Sequence, residues 1–300
     1  MIKIAIVFPV FNGLSYTQKC LTYLAEHTQK ANPANTRFEV VITDDGSSDG
    51  TSDWIRKNYP DVHLQHGNGS LWWSGGINKA IRFALDELQA DYTLWWNNDV
   101  KSADDFFPNL SGLLQQLTEP VVLGSKVKLY HNPDTIWSMG GIFNTKTGFK
   151  AMVGSTEPDS DKYNKPVLCD WLTGMGTVVP KEVYQKIGLV DEKNFPQYHG
   201  DSDFTLRAKK AGFKIEARPE LVIYNDTTQT GLKHDESFRR LYKSMVSIKS
   251  NYNVRKDFAF YRKHTESAGA YMVLFKRYGS YIGGFFKWKL LALFGKKRNS

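Results

Sequence analysis

Residues 38–51 read Phe-Glu-Val-Val-Ile-Thr-Asp-Asp-Gly-Ser-Ser-Asp-Gly-Thr, an apolar run followed directly by an acidic loop. The same order recurs at residues 92–99, where Tyr-Thr-Leu-Trp-Trp leads into Asn-Asn-Asp. A short apolar run is typical of a buried parallel strand, and open α/β sheets bind ligands beyond the carboxyl ends of their strands. Both loops are therefore predicted to point carboxylates at one crevice. Such a cluster suits a hard divalent cation that bridges to substrate phosphates, as in a nucleotide-sugar site.

The first 120 residues alternate between strand and helix patterns, which implies βαβ units and a mostly parallel sheet. Strands are predicted at 4–8, 38–43, 62–65, 92–96 and 121–124, with helices near 15–29, 52–58, 76–88 and 103–117. Between residues 126 and 168, short strands separated by glycine turns predict an antiparallel ribbon. Further helices are predicted at 181–187 and 202–212.

The net charge of +8 is unevenly distributed along the 300 residues. Residues 238–300 carry 15 Lys and Arg against two acids, whereas the residues before them carry a net charge of −5. Because charge and composition change together near residue 237, we predict one domain at 1–237 and a basic helical region at 238–300.

Two cysteines, Cys20 and Cys169, are too few for a disulfide framework or a zinc site, and they favour a reducing cytosol. Residues 1–8 run into Pro9 and are interpreted as a first strand, not as a signal peptide. Aromatic residues make up 14% of the chain, which suits sugar stacking as well as ordinary packing.

Several motifs in a fixed order carry a resemblance to a known family. They are Pro9-Val10-Phe11-Asn12 after the first strand, Asp44-Asp45-Gly46-Ser47 after the second, Asn98-Asp99, and the stretches 170–176 and 188–204. In this order they resemble family 2 of the glycosyltransferases, including the rhamnosyltransferases of bacterial surface polysaccharides. The resemblance covers about residues 3–225 and implies an α/β GT-A fold, a Rossmann-like mixed sheet flanked by helices. Here that fold would carry a basic α-helical appendage at its carboxyl end.

By position, the resemblance assigns donor binding to Pro9, Phe11, Asn12, Asp45, Ser47, Gly76, Asn78, Asn98 and Asp99. The Asp45 carboxylate would accept a hydrogen bond from the nucleobase. The alternative is that Asp45 caps the following helix, although Asp49 looks better placed for capping. Residues 67–78 are rich in glycine and lead into a helix whose N-terminus would favour phosphate. Trp72 and Trp73 in this stretch would either stack on the donor or pack in the core.

The segment Asn97-Asn98-Asp99 stands where the family has its Asp-x-Asp metal motif, with Asn in place of the first acid. The resemblance therefore makes Asp99 the main ligand of a Mg²⁺ or Mn²⁺ ion and the Asn97 amide oxygen a weaker one. The family often has a third ligand, a His, after the last strand of its sheet, and in the corresponding region of this chain Asp226 or His234 would take its place. The alternative is a turn of Asn residues that closes a strand.

Asp201 stands where the family has its catalytic base. An inverting transfer needs a carboxylate that takes the proton of the acceptor hydroxyl while its oxygen attacks the anomeric carbon. The alternative is an Asp that caps the helix from residue 202. The acceptor side is predicted to include Trp171, Gly174, His199 and Asp203.

The carboxyl-terminal region is predicted to form helices at 239–251, 254–264 and 271–294, with Lys and Arg among aromatic and aliphatic residues. Its longest uncharged run, 278–286, has nine residues, too few to span a bilayer. This pattern suits a helix lying on an anionic membrane, with a homodimer interface or a nucleic-acid patch as alternatives. A nucleic-acid patch fits poorly beside an acidic sugar-type site.

Together these features predict a metal-dependent, inverting glycosyltransferase. It would move a sugar from a dTDP or UDP donor to a hydroxyl of a lipid-linked surface glycan, in the cytoplasm, at the inner face of the plasma membrane. The alternatives are a sugar nucleotidyltransferase and a non-catalytic nucleotide- or glycan-binding protein. A nucleotidyltransferase should show a Gly- and Arg-rich loop after the first strand, but residues 9–14 contain one Gly and no Arg.

Overall fold

The computed structural model describes residues 1–31, 35–226 and 237–293. These residues form two units. The first comprises residues up to 142 and from 151 to 226, and the second comprises 143–150 and the described residues from 237 onward. A division near residue 237 was predicted from the sequence. The grouping of the loop 143–150 with the carboxyl-terminal helices was not part of that prediction.

The first unit contains strands and helices in alternation, as its amino-terminal half predicted. In chain order they are β1 (Ile2–Val10), α1 (Leu14–Thr28), β2 (Thr36–Asp44), α2 (Thr51–Asn58), β3 (His63–His66), α3 (Trp72–Asp86), β4 (Tyr92–Trp95), β5 (Val100–Ser102), α4 (Phe106–Gln116), β6 (Val121–Leu129) and β7 (Asn132–Ser138). A ribbon of β8 (Gly141–Phe143) and β9 (Lys150–Met152) follows, and then β10 (Val167–Leu168), β11 (Thr177–Pro180), α5 (Lys181–Ile187), α6 (Gly200–Lys210) and β12 (Lys214–Asn225).

The main sheet has the strand order β10-β12-β6-β11-β4-β1-β2-β3. Strand β1 runs parallel to β2 and β4, and β2 runs parallel to β3. Strand β11 is antiparallel to both of its neighbours, β4 and β6. The sheet is therefore mixed, as the resemblance implied, and the carboxyl ends of β1, β2 and β4 lie at one edge.

Side chains of β1 alternate between two apolar layers, which explains the helices on both faces of the sheet. Ile4, Ile6 and Phe8 join the layer that α1 and α4 cover. Ala5 and Val7 join the opposite layer, which α3 covers. Because all five are fully buried, the strand reads as a continuous apolar run in the sequence.

Three predicted boundaries differ from the structure by four residues or more. Helix α3 begins at Trp72, four residues before the predicted start, because a distant carboxylate binds its first N–H groups. Strand β6 continues to Leu129, because β7 and β12 pair with residues that were assigned to the ribbon. The first carboxyl-terminal helix ends at Val246 and not at residue 251, because the Asn253 side chain binds the carbonyl of Val246.

The second unit contains helices α7 (Phe238–Val246), α8 (Val254–His264) and α9 (Ala270–Leu293). The buried Asp257 on α8 accepts hydrogen bonds from Arg277 (3.1 Å) and from the Tyr278 hydroxyl (2.6 Å) of α9. The Tyr252 and Tyr281 rings stack at 4.0 Å. Within the described residues, no helix is long and apolar enough to cross a membrane.

Candidate functional site

Asp45 follows β2 and binds the loop before α3. One carboxylate oxygen accepts the Gly69 N–H (2.9 Å), and the other accepts the N–H groups of Leu71 (2.9 Å) and Trp72 (3.1 Å). The side chain is only 5% exposed. Asp45 therefore fixes the loop and the start of α3, a task additional to the predicted contact with the base. The Asp49 carboxylate accepts the Thr51 N–H at the start of α2, whereas the described hydrogen bonds of the Asp45 carboxylate go to the segment that leads into α3.

The N-terminus of α3 is occupied by protein groups. A helix leaves its first four N–H groups without helical partners. Here the N–H groups of Leu71 and Trp72 bind Asp45, that of Trp73 binds the Gln197 side chain (3.2 Å), and that of Ser74 binds the Pro196 carbonyl (2.9 Å). This corrects the expectation that the helix N-terminus binds the donor phosphates, because none of these four N–H groups lacks a partner.

The loops after β1 and β2 are joined by the predicted donor residues Asn12 and Ser47. The Asn12 N–H donates to Ser47 Oγ (2.9 Å), and Asn12 Oδ1 accepts the Ser48 N–H (2.8 Å). Phe11 beside them is 55% exposed, so its ring is accessible to a flat ligand such as a nucleobase. The structure thus brings these predicted residues together at one edge of the sheet.

Two further predicted donor residues, Gly76 and Asn78, lie on α3. A Cβ atom at Gly76 would lie 2.5 Å from Pro9 Cβ, so glycine is what allows α3 to pack this closely against β1. Asn78 is buried, and its amide binds the backbone N–H and carbonyl of Val190 and the Glu192 carboxylate. The Asn78 side chain therefore anchors the segment at 190–192, and both of its N–H groups are bound there, a task additional to the predicted contact with the donor.

The segment Asn97-Asn98-Asp99 directly follows β4. Asn97 Oδ1 accepts the indole N–H of Trp73 (3.1 Å), and Asn98 Nδ2 donates to Thr17 Oγ1 (3.0 Å). Burial raises the pKa of Asp99 above its usual value, and the negative charge of Asp226 raises it further. Both carboxylates are close enough to repel each other, because Asn225 pairs with Val100 across β12 and β5.

Asp99 and Asp226 line a cavity of about 270 Å³. Its other lining residues are Tyr16, Lys19, Cys20, Tyr23, Asn98, Val100, Lys101 and Tyr130. Asp226 also lies 3.6 Å from His131 Nε2. Across the three described ranges, no group of three His, Cys, Asp or Glu is placed to hold a metal ion. The pair nevertheless fits a Mg²⁺-like ion, which often takes one or two carboxylates and completes its shell with water and substrate phosphates. His234 lies outside the described residues.

Asp201 lies in the first turn of α6 and is half-buried. Its carboxylate accepts the N–H of Ser202 (2.7 Å) and the N–H of Gly174 (2.9 Å). A Cβ atom at Gly174 would lie 2.5 Å from Trp73 Cζ2, so this loop touches the same indole that binds Asn97. The predicted base is therefore linked by direct contacts to the predicted metal motif.

The other predicted acceptor-side residues have different positions. Asp203 is fully buried and forms an ion pair with Arg207 (2.9 Å), which also binds the carbonyls of Ile187 and Leu189. This corrects the predicted contact of Asp203 with the acceptor. Trp171 is buried and donates its indole N–H to the Ile142 carbonyl (3.2 Å), so it supports the fold. His199 precedes α6 in a left-handed conformation, with φ of 69°.

Sequence reasoning missed the supporting residues Gln197 and Glu192 and left the role of Trp73 open. Trp73 connects the start of α3, the end of β4 and the loop before β11. The only signal in the sequence was a pair of tryptophans immediately before a glycine-rich helix start, and it left stacking and packing equally open. The partners of Gln197 and Glu192 lie more than 100 residues away in the chain, beyond any local pattern.

Comparisons with known proteins identify the family. The profile of Glycosyl transferase family 2 matches residues 5–175. An uncharacterised glycosyltransferase of Rickettsia typhi is 23% identical, with 94% of this chain and 87% of the relative aligned. The N-acetylglucosaminyl-diphospho-decaprenol L-rhamnosyltransferase of Mycobacterium tuberculosis is 25% identical, with 64% of this chain and 68% of the relative aligned.

Two solved structures share the fold. The Staphylococcus aureus TarS 1–349 structure is 19% identical, with a TM-score of 0.51 over 76% of this chain. GalNAc-T7, solved with UDP, GalNAc and Mn²⁺, is 11% identical, with a TM-score of 0.55 over 88% of this chain. The chain spans 61% and 55% of the lengths of these two structures. They confirm the predicted GT-A fold. With a profile match over more than half of its length, the chain belongs to glycosyl transferase family 2 and is a glycosyltransferase.

Proposed function

We propose that this glycosyltransferase transfers a sugar, with inversion, from a nucleoside diphosphate to a hydroxyl of a lipid-linked glycan. The observation that carries the proposal is the contact series from Asp201 through Gly174 and Trp73 to Asn97, two residues before Asp99. It joins a candidate base to the position where a metal-bound diphosphate would leave. A binding protein without catalytic function would not require this juxtaposition.

Asp201 acts as the general base in this proposal. Each carboxylate oxygen accepts one backbone N–H and keeps a second lone pair for a proton. As Asp201 takes the proton, the acceptor oxygen bonds to the anomeric carbon, and the bond from that carbon to the diphosphate oxygen breaks. The bonding electrons leave with the diphosphate, and the new bond forms on the opposite face of the sugar.

Asp99 and Asp226 would hold the divalent ion. Bound there, Mg²⁺ or Mn²⁺ supplies positive charge that neutralises the leaving diphosphate. The fit rests on two carboxylates that already repel each other, because a cation between them removes that repulsion. GalNAc-T7, which shares the fold, was solved with Mn²⁺ and UDP.

Donor and acceptor are assigned by class. Phe11 and the joined loops of Asn12 and Ser47 suit the base and ribose of a dTDP or UDP donor. A lipid-linked acceptor is supported by the mycobacterial relative, whose name gives a diphospho-decaprenol acceptor. Hydrolysis of a panel of UDP- and dTDP-sugars, with Mn²⁺ and with Mg²⁺, tests the proposal. Failure to hydrolyse or transfer any of these sugars would contradict it.

The second unit supports attachment to an anionic membrane surface. On α9 the exposed residues Met272, Phe275, Phe286 and Leu290 fall within about 60° of one another around the helix axis. Phe238, Tyr242 and Val246 form a similar exposed row on α7, and the Phe238 ring lies 5.2 Å from that of Phe285. Single exposed apolar side chains are normal on a protein surface, but contiguous rows of them mark a site of interaction, so these rows indicate a partner.

Charge favours lipid over a second copy of the chain as that partner. Lys276 and Lys287 are exposed along one edge of the α9 row, and residues 270–293 contain no acid. Pairing two copies through this face would bring lysines together without counter-charges. An anionic bilayer takes up the apolar side chains and also attracts the lysines. We therefore propose a peripheral enzyme at the inner face of the plasma membrane, with the homodimer as the competing outcome.

Replacement of Asp99 by Ala is expected to weaken metal-dependent binding of UDP or dTDP. Loss of residues that only support metal ligands already costs roughly 10–100-fold in metal affinity, so loss of a ligand should cost at least that. Calorimetric titration of nucleotide with Mn²⁺ and with EDTA measures the effect. The control is Asp53→Ala, a change at an 87% exposed carboxylate on α2. Equal nucleotide affinity of Asp99→Ala and wild type in Mn²⁺ would disprove the metal role.

A further inference from the structure

The orientation of the Asn97 amide follows from its partner. An indole N–H is only a donor, so the Asn97 atom 3.1 Å from Trp73 Nε1 must be the oxygen. Amide oxygen and nitrogen are otherwise difficult to distinguish, but here chemistry decides. Nδ2 therefore points away from the indole. Among the described residues, Nδ2 has no hydrogen-bond partner, although the side chain is only partly exposed.

Trp73 holds this orientation firmly. Its backbone N–H is bound by Gln197, its ring packs edge-on against Trp95 with centroids 5.7 Å apart, and its edge meets Gly174. The indole is enclosed on these sides and keeps its N–H directed at Asn97. The amide of Asn97 is therefore presented in one direction before any ligand binds.

This arrangement competes with a metal-ligand role for Asn97. Hard cations such as Mg²⁺ bind oxygen, and the indole N–H takes one of the two lone pairs of Asn97 Oδ1 and fixes the direction of that oxygen. The group left over is a pair of N–H donors, which suits an oxygen acceptor of the ligand. The N–H groups at the start of α3 cannot supply this contact, because all four are bound within the protein.

We propose that Asn97 donates a hydrogen bond from Nδ2 to an oxygen of the bound nucleotide sugar and is not a metal ligand. In this proposal Trp73 is a positioning residue that acts through Asn97. The inference rests on the proposed donor class. It distinguishes this chain from an Asp-x-Asp site, because an amide donor stands where a carboxylate would bind the ion.

The test compares Asn97→Ala, Trp73→Phe and the double variant with wild type. Affinity is measured by calorimetry for UDP and dTDP and for their sugar nucleotides, in EDTA and in Mn²⁺. Loss of the Asn97 donor should weaken binding of the sugar nucleotide by about tenfold or more, and the loss should persist in EDTA. If Asn97 were only a metal ligand, Asn97→Ala would bind both the free nucleotide and the sugar nucleotide in EDTA as wild type does, and the proposal would be overturned.

The double variant separates positioning from a general structural effect. If Trp73 acts through Asn97, Trp73→Phe should weaken donor binding in the wild-type background but add nothing in the Asn97→Ala background. Additive effects would overturn the positioning role. This cycle is measured in Mn²⁺ and does not depend on metal-free binding. The matched control is Trp54→Phe on α2, which should change neither affinity nor coupling.

Two further comparisons identify the ligand oxygen that accepts the Asn97 hydrogen bond. They also distinguish failure of this inference from failure of the proposed function. If Asn97→Ala weakens binding of both the sugar nucleotide and the free nucleoside diphosphate, the acceptor oxygen belongs to the nucleoside diphosphate part; if it weakens binding of the sugar nucleotide only, the acceptor is an oxygen of the transferred sugar. Equal affinity for both ligands in wild type and Asn97→Ala contradicts the inference. Failure of the proposed function shows itself differently, as wild-type protein that binds nucleotide but neither hydrolyses nor transfers any sugar.

Discussion

Replacement of Asp201 by Asn is expected to reduce sugar transfer by about 10²–10⁴-fold, the usual contribution of a general base. The amide cannot take the acceptor proton, although its volume and position match those of the carboxylate. Donor binding should persist, because the predicted donor and metal residues are unchanged. One of the two N–H groups that face Asp201 would meet an amide N–H₂ group, at a cost of about 1–3 kcal/mol in stability.

A second carboxylate on the same helix is the control for that stability cost. Asp203→Asn breaks the buried pair with Arg207 and should destabilise the protein by about 3–5 kcal/mol, more than Asp201→Asn does. The Asp203→Asn protein that remains folded should still transfer sugar. Thermal unfolding and turnover per folded molecule, measured for both variants, separate the two effects. Near-wild-type turnover of folded Asp201→Asn would refute the base assignment.

The fold, and the sheet edge at which the candidate site residues gather, were predictable from local patterns. Buried strands such as Ile4–Phe8 read as apolar runs, and polar loops after β2 and β4 marked the carboxyl edge. The antiparallel insertion of β11 between β4 and β6 was not predictable in the same way. Its pairing partners lie more than 50 residues away in the chain, and four residues carry too little pattern to choose among them.

Individual site roles were less predictable, because a polar side chain can be bound by groups that local sequence does not show. Asn78 and Asp203 occupy motif positions, yet the first is bound by Val190 and Glu192 and the second by Arg207. Asp45 is bound by a loop 24 residues on. Asn97 could be read from the motif only as a weakened ligand. Its indole partner, which turns the amide oxygen away, became visible only in three dimensions.

Loss of the exposed α9 face is expected to abolish binding to anionic liposomes. The variant combines Phe286→Gln and Leu290→Gln, at residues 50% and 62% exposed, with Lys276→Gln and Lys287→Gln. Each apolar side chain contributes about 1.5–3 kcal/mol when fully buried, and each lysine about 1 kcal/mol near an anionic surface. Because Phe286 and Leu290 are already partly buried, only their exposed fraction counts, and the combined loss corresponds to roughly 500-fold or more in affinity, measured by sedimentation with vesicles that contain anionic lipid.

Substitution is preferable to truncation for this test. Removal of α9 would take away Arg277 and Tyr278, and Asp257 would remain buried without these partners. The four substituted residues instead lie outside the described hydrogen bonds of Asp257, so the packing of α8 against α9 should persist, although Phe286→Gln removes the ring contact between Phe286 and Phe238 on α7. Transfer to a soluble acceptor should also persist, because Asp45, Asp99 and Asp201 are unchanged.

Salt and a charge-matched control separate lipid binding from its alternatives. The control replaces two exposed lysines of the first unit, Lys57→Gln and Lys210→Gln, and should bind vesicles as wild type does. Salt should release wild type only in part, because it screens lysines but leaves buried Phe286 and Leu290 attached. If the wild-type protein does not bind vesicles and the variant with four substitutions on α9 changes a dimer into a monomer, the exposed apolar row of α9 is an interface between two copies of the chain. In that case the lysines must pair with acids elsewhere in the chain, since residues 270–293 supply none.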